Sequence, residues 1–228
     1  MAVLGKMLRT DLQRSAIRHT DTRRELRDFW WRTLHGAQRV GTYWDNIPGY
    51  EHRALCQHCQ VPETMEHILV DCAAPGRQHV WDLARTLLSC KGIPCPPITL
   101  GTALAAPCLS VKGVLDQIPP ATDRILLTEA THLVWKLRCE RVIDPDFDRE
   151  AGHSIAAVAN RYLSALNRRL SIDQHLAQRP GSRTGLPRST VLNTWSGLLR
   201  DHHRLPEDWI LYPGVLVGRP PMPLSDNG

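Results

Sequence analysis

Cys56, Cys59, His67 and Cys72 stand in the order C-x2-C-x7-H-x4-C, within Leu55-Cys56-Gln57-His58-Cys59 and Glu63-Thr64-Met65-Glu66-His67-Ile68-Leu69-Val70-Asp71-Cys72. Three thiolates and one imidazole are a complete tetrahedral shell for Zn2+. The x2 spacing lets two thiolates on one turn converge on one ion. A full shell leaves no position for water, so the expectation is one structural zinc and no metal catalysis. By spacing alone His58, between the first two thiols, and His79, beyond Cys72, compete for the imidazole place. Cys90, Cys95, Cys108 and Cys139 show no further metal spacing, and a total of seven cysteines fits a disulfide framework poorly. Such usage points to a reducing compartment, nuclear or cytoplasmic.

Other site chemistry is harder to assemble. Asp201-His202-His203 and Asp144-Pro145-Asp146 lack a matching third ligand, and a surface helix end explains the first more simply. No Gly-x-Ser-x-Gly, phosphate-cradling glycine loop or His-Glu-x-x-His occurs, so no enzyme is expected. The formal net charge is +5, and the only lysines are Lys6, Lys91, Lys112 and Lys136. The basic character is therefore arginine, whose planar fork suits phosphate and base edges. Arg161, Arg168, Arg169, Arg179 and Arg183 are accompanied only by Asp173. On a helix Arg161, Arg168 and Arg169 fall within about a 100° arc, which makes this group the candidate contact for nucleic-acid phosphate, RNA or DNA, without sequence preference. Arg23, Arg24, Arg27, Arg32 and Arg39 are interleaved with Asp21, Glu25 and Asp28, as on an ordinary solvated helix face. Trp30, Trp31, Tyr43 and Trp44 could stack bases, but aromatics at helical spacing more often build a core. Adjacent Trp30 and Trp31 cannot share one face, so one of them belongs at the surface.

The elements that must position these groups read as helices. Leu8, Leu12, Ala16 and Ile17 have helical spacing, and Thr20-Asp21 is an N-cap candidate for a helix through Leu34, stopped by Gly36. A short helix is expected from Pro62-Glu63-Thr64 through Leu69, delivering His67 and, at its end, Cys72. Further helices are predicted over 77–88, 121–143, 149–178 and 189–200. Pro94, Pro96, Pro97, Pro107, Pro119 and Pro120 mark 92–120 as a connector, with a short extended piece at Ile98-Thr99-Leu100. The fold class is mainly α: a small zinc-stapled helical module over 1–91, a Pro-rich connector over 92–120, a bundle-like helical part over 121–204 and an irregular Pro-rich tail over 205–228. The hydrophobic share of 42% supports a core. No apolar run of about 18 residues exists for a membrane span, and Lys6 and Arg9 interrupt the N-terminus too early for a secretory signal.

The order of these features resembles the zinc-binding region near the C-terminal end of reverse-transcriptase polyproteins of non-LTR retrotransposons. Phe29-Trp30-Trp31-Arg32-Thr33-Leu34-His35-Gly36 precedes the Cys-x2-Cys turn, and Glu-Thr-x-Glu-His and a closing Cys follow. His132-Leu133-Val134-Trp135-Lys136-Leu137-Arg138-Cys139-Glu140-Arg141-Val142-Ile143 is similar to the helix that trails this module, particularly in fungal elements. The likeness covers roughly residues 20 to 145. It implies Cys56, Cys59, His67 and Cys72 as the ligands, so His67 rather than His58 or His79. It implies nucleic acid as a partner, with a polymerase or another retroelement protein as a second partner class. No Tyr-x-Asp-Asp polymerase signature and no four-carboxylate ribonuclease H set is present. The chain is therefore expected to be the tail of such a polyprotein, detached from its catalytic parts. The alternative is a protein-interaction or structural helical module.

Overall fold

The computed structural model describes residues 23–108, 121–149, 151–179 and 185–218. The predicted helix around Leu8 to Ile17, the Thr20-Asp21 cap and Arg183 lie outside the described residues. The architecture is mainly α. In chain order the helices are α1 (Arg24–Leu34), α2 (Arg77–Cys90), α3 (Leu100–Ala105), α4 (Ala121–Ile143), α5 (Ile155–Ala177) and α6 (Arg188–Trp195). Between α1 and α2 the chain runs through tight turns and one π-helical turn, His67–Asp71.

Helix α4 is the centre. Fourteen of its residues are buried, from Thr122 to Arg138, on every side of the helix. A helix apolar on only one stripe lies at a surface, whereas one enclosed all round is a core helix. The indole of Trp30 on α1 donates to Leu104 O at 3.0 Å and ties α1 to α3. Tyr162 of α5 donates to Leu126 O of α4 at 2.8 Å, and Trp81 of α2 donates to Leu69 O in the π turn at 2.8 Å. Each large ring thus buries its surface while its polar atom keeps a partner, which is how a core accepts Tyr and Trp.

The apolar core is continuous from Leu26 to Val217. It crosses every boundary suggested by composition. Helix α2 of the expected N-terminal module packs on α4 and α5 of the expected C-terminal part. The connector is not a plain linker: Thr99 is extended, as expected within Ile98-Thr99-Leu100, but Leu100 already begins α3. Thr99 caps α3 through a reciprocal bond pair with Thr102, and Ala103, Leu104 and Ala106 are buried. In the tail, Trp209, Ile210, Val215 and Val217 enter the core, and Val217 N donates to Asn167 Oδ1 at 2.7 Å. Prolines interrupt helices but do not prevent burial of the apolar residues between them. Gly76, at the start of α2, has φ +103, and a Cβ there would lie 3.0 Å from Leu137 Cδ1. Glycine thereby allows the chain leaving Cys72 to turn against α4.

Candidate metal centre and basic groove

The chain enters the centre through a small knuckle. Leu55 and Pro62 form an isolated antiparallel bridge. Within it Gln60 N donates to Cys56 O and Cys56 N to Val61 O, each at 2.8 Å, with Gln60 in the left-handed region at φ 57. This turn places Cys56 and Cys59 side by side. The Thr64 hydroxyl accepts from His67 N at 3.0 Å and starts the turn that carries His67. The predicted short helix is present, but its second half is wider than α. Cys72 N donates to His67 O at 2.7 Å, an i to i+5 bond. In an α-helix residues five apart point about 140° away from each other. The π turn closes that angle and brings His67 and Cys72 to one side.

One ligand atom from each of Cys56, Cys59, His67 and Cys72 lies within 4.8 Å of all the others. The Cys72 sulfur is 3.8 Å from that of Cys56 and 3.9 Å from that of Cys59. A tetrahedron with metal–sulfur bonds of about 2.3 Å has edges of about 3.8 Å. A disulfide needs about 2.05 Å. The spacing is thus that of a shared ion. His58, exposed, and His79, half-buried on α2, both lie outside the group.

The electrostatics of the donors agree with this geometry. Nε2 of His67 is buried and has no hydrogen-bond partner among the described residues. Burial lowers the His67 pKa against the charges of Asp71 and Glu63, which favours the neutral imidazole that a ligand requires. Burial likewise pushes the Cys72 thiol up to about 12, with the neighbouring Cys56 adding to it and the Ala74 backbone opposing it. Such a thiol ionises only when a cation compensates the charge, as a bound metal does. Around the donors Ala73 N points to Cys59 Sγ at 3.4 Å, and Arg141 Nη2 lies 3.9 Å from Cys72 Sγ. Outer donors of this kind fix the orientation of thiolate ligands. The cluster can hold a metal ion.

A buried ion pair joins this loop to the central helix. Glu63, between Cys59 and His67, takes both Nε (3.1 Å) and Nη2 of Arg138 on α4. Both side chains are almost fully enclosed, at 2% and 4% exposure. Burial opposes the Arg138 charge, and the bond and charge of Glu63 more than offset it, so its pKa is raised. The sequence offered neither residue a partner. Their pairing spans 75 positions and carries no local pattern.

The arginines proposed for phosphate contact are separated by the fold. Arg161 and Arg168 line one groove between α4 and α5, together with Arg23, Lys136, His132, Asn160 and Ser164. Glu129 is the one carboxylate in that lining, and it is bonded to Arg23. Arg161 is also held by both Nη atoms to Glu140. Arg169 does not share the face: it is buried, and its Nε donates to Asp173 Oδ1 at 2.9 Å, while Trp195 Nε1 donates to Oδ2 at 3.0 Å. One residue turns a helix by about 100°, and Arg169 falls across the edge of the buried stripe. Arg179 is exposed just past the end of α5, apart from that lining. Arg23 and Lys136 reach the groove from sequence positions far from Arg161, so only the packing reveals them.

Among the aromatics, Trp30 is buried at 1% exposure, while Trp31 is 54% exposed and stacks on His35 at 4.6 Å. The surface place expected for one of the pair therefore falls to Trp31. Tyr43 does not join the core and is 44% exposed. In the N-terminal basic group Arg32 pairs with Asp28 at 2.9 Å, the i,i+4 pair of a solvated face. No helix among the described residues is long and apolar enough to cross a membrane. In comparisons with known proteins, no family model matches the chain, and no curated protein or solved structure matches it.

Proposed function

We propose that the chain is a nucleic-acid-binding module stapled by one structural Zn2+ at Cys56, Cys59, His67 and Cys72, without a catalytic site of its own. The donor set of three thiolates and one imidazole suits zinc, and four protein ligands leave no position for a reacting water. The observation that carries the ligand class is the groove lined by Arg23, Lys136, Arg161 and Arg168, in which Glu129 pairs with Arg23 and Glu140 with Arg161, while Lys136 and Arg168 are exposed. Cations gathered along a groove neutralise phosphates and release counterions, with little dependence on base sequence. Zinc acts indirectly, by fixing the loop whose Glu63 holds Arg138 on the same helix as Lys136.

Metal analysis of the purified chain tests the first half, with one zinc per chain expected and none after Cys59→Ser. A full-length chain that carries no metal, or that keeps it in Cys59→Ser, overturns the site. Salt titration of oligonucleotide affinity tests the second half. Arg168→Gln with Lys136→Gln should lower affinity for all sequences alike and flatten the log–log salt slope by about 2. Folding stability should change by less than about 0.5 kcal/mol per site, because both side chains are exposed. Binding by the double variant equal to that of the parent at every salt concentration removes the groove from the reading.

A second reading has its own support. Leu211, Tyr212 and Leu216 are 65%, 55% and 40% exposed near the C-terminal end of the described chain. Apolar exposure of this kind suits a protein partner. Absence of nucleic-acid binding at low salt would favour that module over the first.

A further inference from the structure

The segment between α1 and the first metal ligand holds three aromatic rings that the core does not use. Tyr43 and Tyr50 are 44% and 45% exposed, and Trp44 is half-buried. They contact one another: Tyr43 and Trp44 meet edge to face at 5.1 Å, and Trp44 and Tyr50 lie 6.0 Å apart at a tilt of 35°. Two guanidinium groups sit against them. Arg53 is 5.3 Å from the Trp44 centroid and 4.8 Å from that of Tyr50, and Arg39 is 5.7 Å from Tyr43.

The backbone path rests mainly on its own bonds, with one from a ring, Trp44 Nε1 donating to Arg39 O at 3.0 Å. Tyr43 N donates to Val40 O, Trp44 N to Gly41 O, Ile47 N to Trp44 O, Tyr50 N to Ile47 O and Arg53 N to Tyr50 O, at 2.9–3.2 Å. These successive turns hold the path by main-chain bonds. The segment is also seated on the metal loop. Gly41, at φ +53, lies so close to that loop that a Cβ would be 3.2 Å from Glu63 O, and Glu63 N donates to Ala54 O at 2.9 Å. The rings therefore stand on a fixed support while facing solvent.

We propose that Tyr43, Trp44 and Tyr50, with Arg39 and Arg53, form a stacking platform for the unpaired bases of a single-stranded nucleic acid. This rests on the reading of the basic groove as a nucleic-acid surface and specifies its ligand as single-stranded. Clustered π-faces interleaved with arginine match a base and its phosphate together, whereas duplex DNA keeps its base faces covered. Arg39 and Arg53 form no ion pair among the described residues, which leaves their charge for the ligand. Asp45 and Glu51 are exposed on the same segment, so the platform is near neutral and stacking sets its contribution. The groove governs the salt dependence, and the platform governs the preference for single strands.

The test uses the full-length, zinc-loaded chain, with a labelled oligo(dT), a labelled duplex of equal length and a labelled proline-rich peptide. Tyr43→Leu and Tyr50→Leu should each lower single-strand affinity by roughly fivefold to a hundredfold, from the usual worth of one base–aromatic stack. The salt slope and the duplex affinity should stay at parent values. Tyr43→Phe and Tyr50→Phe keep the ring and should bind as the parent does, which separates stacking from folding. Parent-like single-strand affinity in the leucine variants, with the steep salt slope intact, overturns the platform and leaves the groove standing. An equal fall in single-strand and duplex affinity overturns it too, as does tight binding of the peptide but not of oligo(dT). A parent chain that binds neither oligonucleotide at low salt overturns the groove reading and the platform with it.

Discussion

The metal loop and the helical core lie in one chain and are held by different physics. Around the metal centre the buried apolar cluster is Cys56, Cys72 and Ala74, with Cys59 at its edge. Its knuckle is a single isolated bridge and a few turn bonds. Against this, α2, α4 and α5 share a core with Trp81, Leu126, Tyr162, Leu166 and Leu170 essentially sealed from water. Burial supplies the stability of the second region, at about 25 cal/mol per Å2 of apolar surface. In the first region Ile68 and Leu69 of the π turn reach the core, but the Cys56–Cys59 knuckle has little apolar surface, and a bound metal would supply what its turn bonds do not. The difference teaches that the loop is fastened to the packed helices at two places, the Glu63–Arg138 pair and the π turn whose Ile68 and Leu69 enter the core.

The comparison breaks most visibly when the metal is removed. A strong chelator or Cys59→Ser should strip hydrogen-exchange protection from residues 51–76 by several orders of magnitude, since structural zinc contributes about 10 kcal/mol or more in zinc-finger peptides. The central turns of α4 and α5 should keep most of their protection. Equal protection along the chain with and without zinc would erase the distinction between the two regions.

Cutting the Glu63–Arg138 pair should affect both regions. Glu63→Gln leaves the Arg138 charge buried without its partner, at a cost of roughly 3–5 kcal/mol. Urea denaturation should show the loss, and metal affinity should fall with it. Glu63→Met with Arg138→Met removes both charges and should recover part of the stability. A double variant no better than Glu63→Gln would mean that geometry, rather than the unpaired charge, carries the cost.

A lesion confined to the core should spare the metal. Leu126→Ala opens a cavity beside α5 and should cost about 2–5 kcal/mol, yet the folded chain should still bind one zinc. Loss of metal from the folded variant would show that the core shapes the centre directly.

The smallest of these effects comes from His132. Burial, aided by the charges of Arg23 and Lys136, holds its pKa at about 4, below the ordinary 6.5. In that interval the unfolded chain takes up a proton that the folded chain refuses, so stability falls as pH drops from 6.5 towards 4. The full effect is roughly 3 kcal/mol, reached below pH 4. His132→Gln should flatten that part of the stability–pH curve of the metal-loaded chain. An unchanged curve would place the imidazole in contact with water.

Much of this protein is written locally. Helix α2 was predicted at 77–88 and runs Arg77–Cys90; the central helix was predicted at 121–143 and runs Ala121–Ile143. Both stand on apolar periodicity, which is a property of neighbouring residues. The four candidate metal donors were equally legible, because two thiols on a turn and a His–Cys pair on the next make a chemical pattern without reference to the rest of the chain. What spacing alone could not do was choose His67 over His58 and His79. Packing decides that, by burying Nε2 of His67 beside the sulfurs and leaving His58 in solvent. Periodicity also could not foresee the π turn, since one wider turn differs from α only in which carbonyl Cys72 N meets. The fate of the arginines was a tertiary matter throughout. Arg168 and Arg169 are adjacent, yet one faces the groove and the other is buried against Asp173, because helix rotation carries the second across the contact with α6. The sequence by itself determined the helices and the donor set, through short-range pattern and ligand chemistry. Only the tertiary structure decided which charges are paired and which face solvent, because partners such as Glu63 and Arg138 meet across 75 residues of chain that no local rule connects.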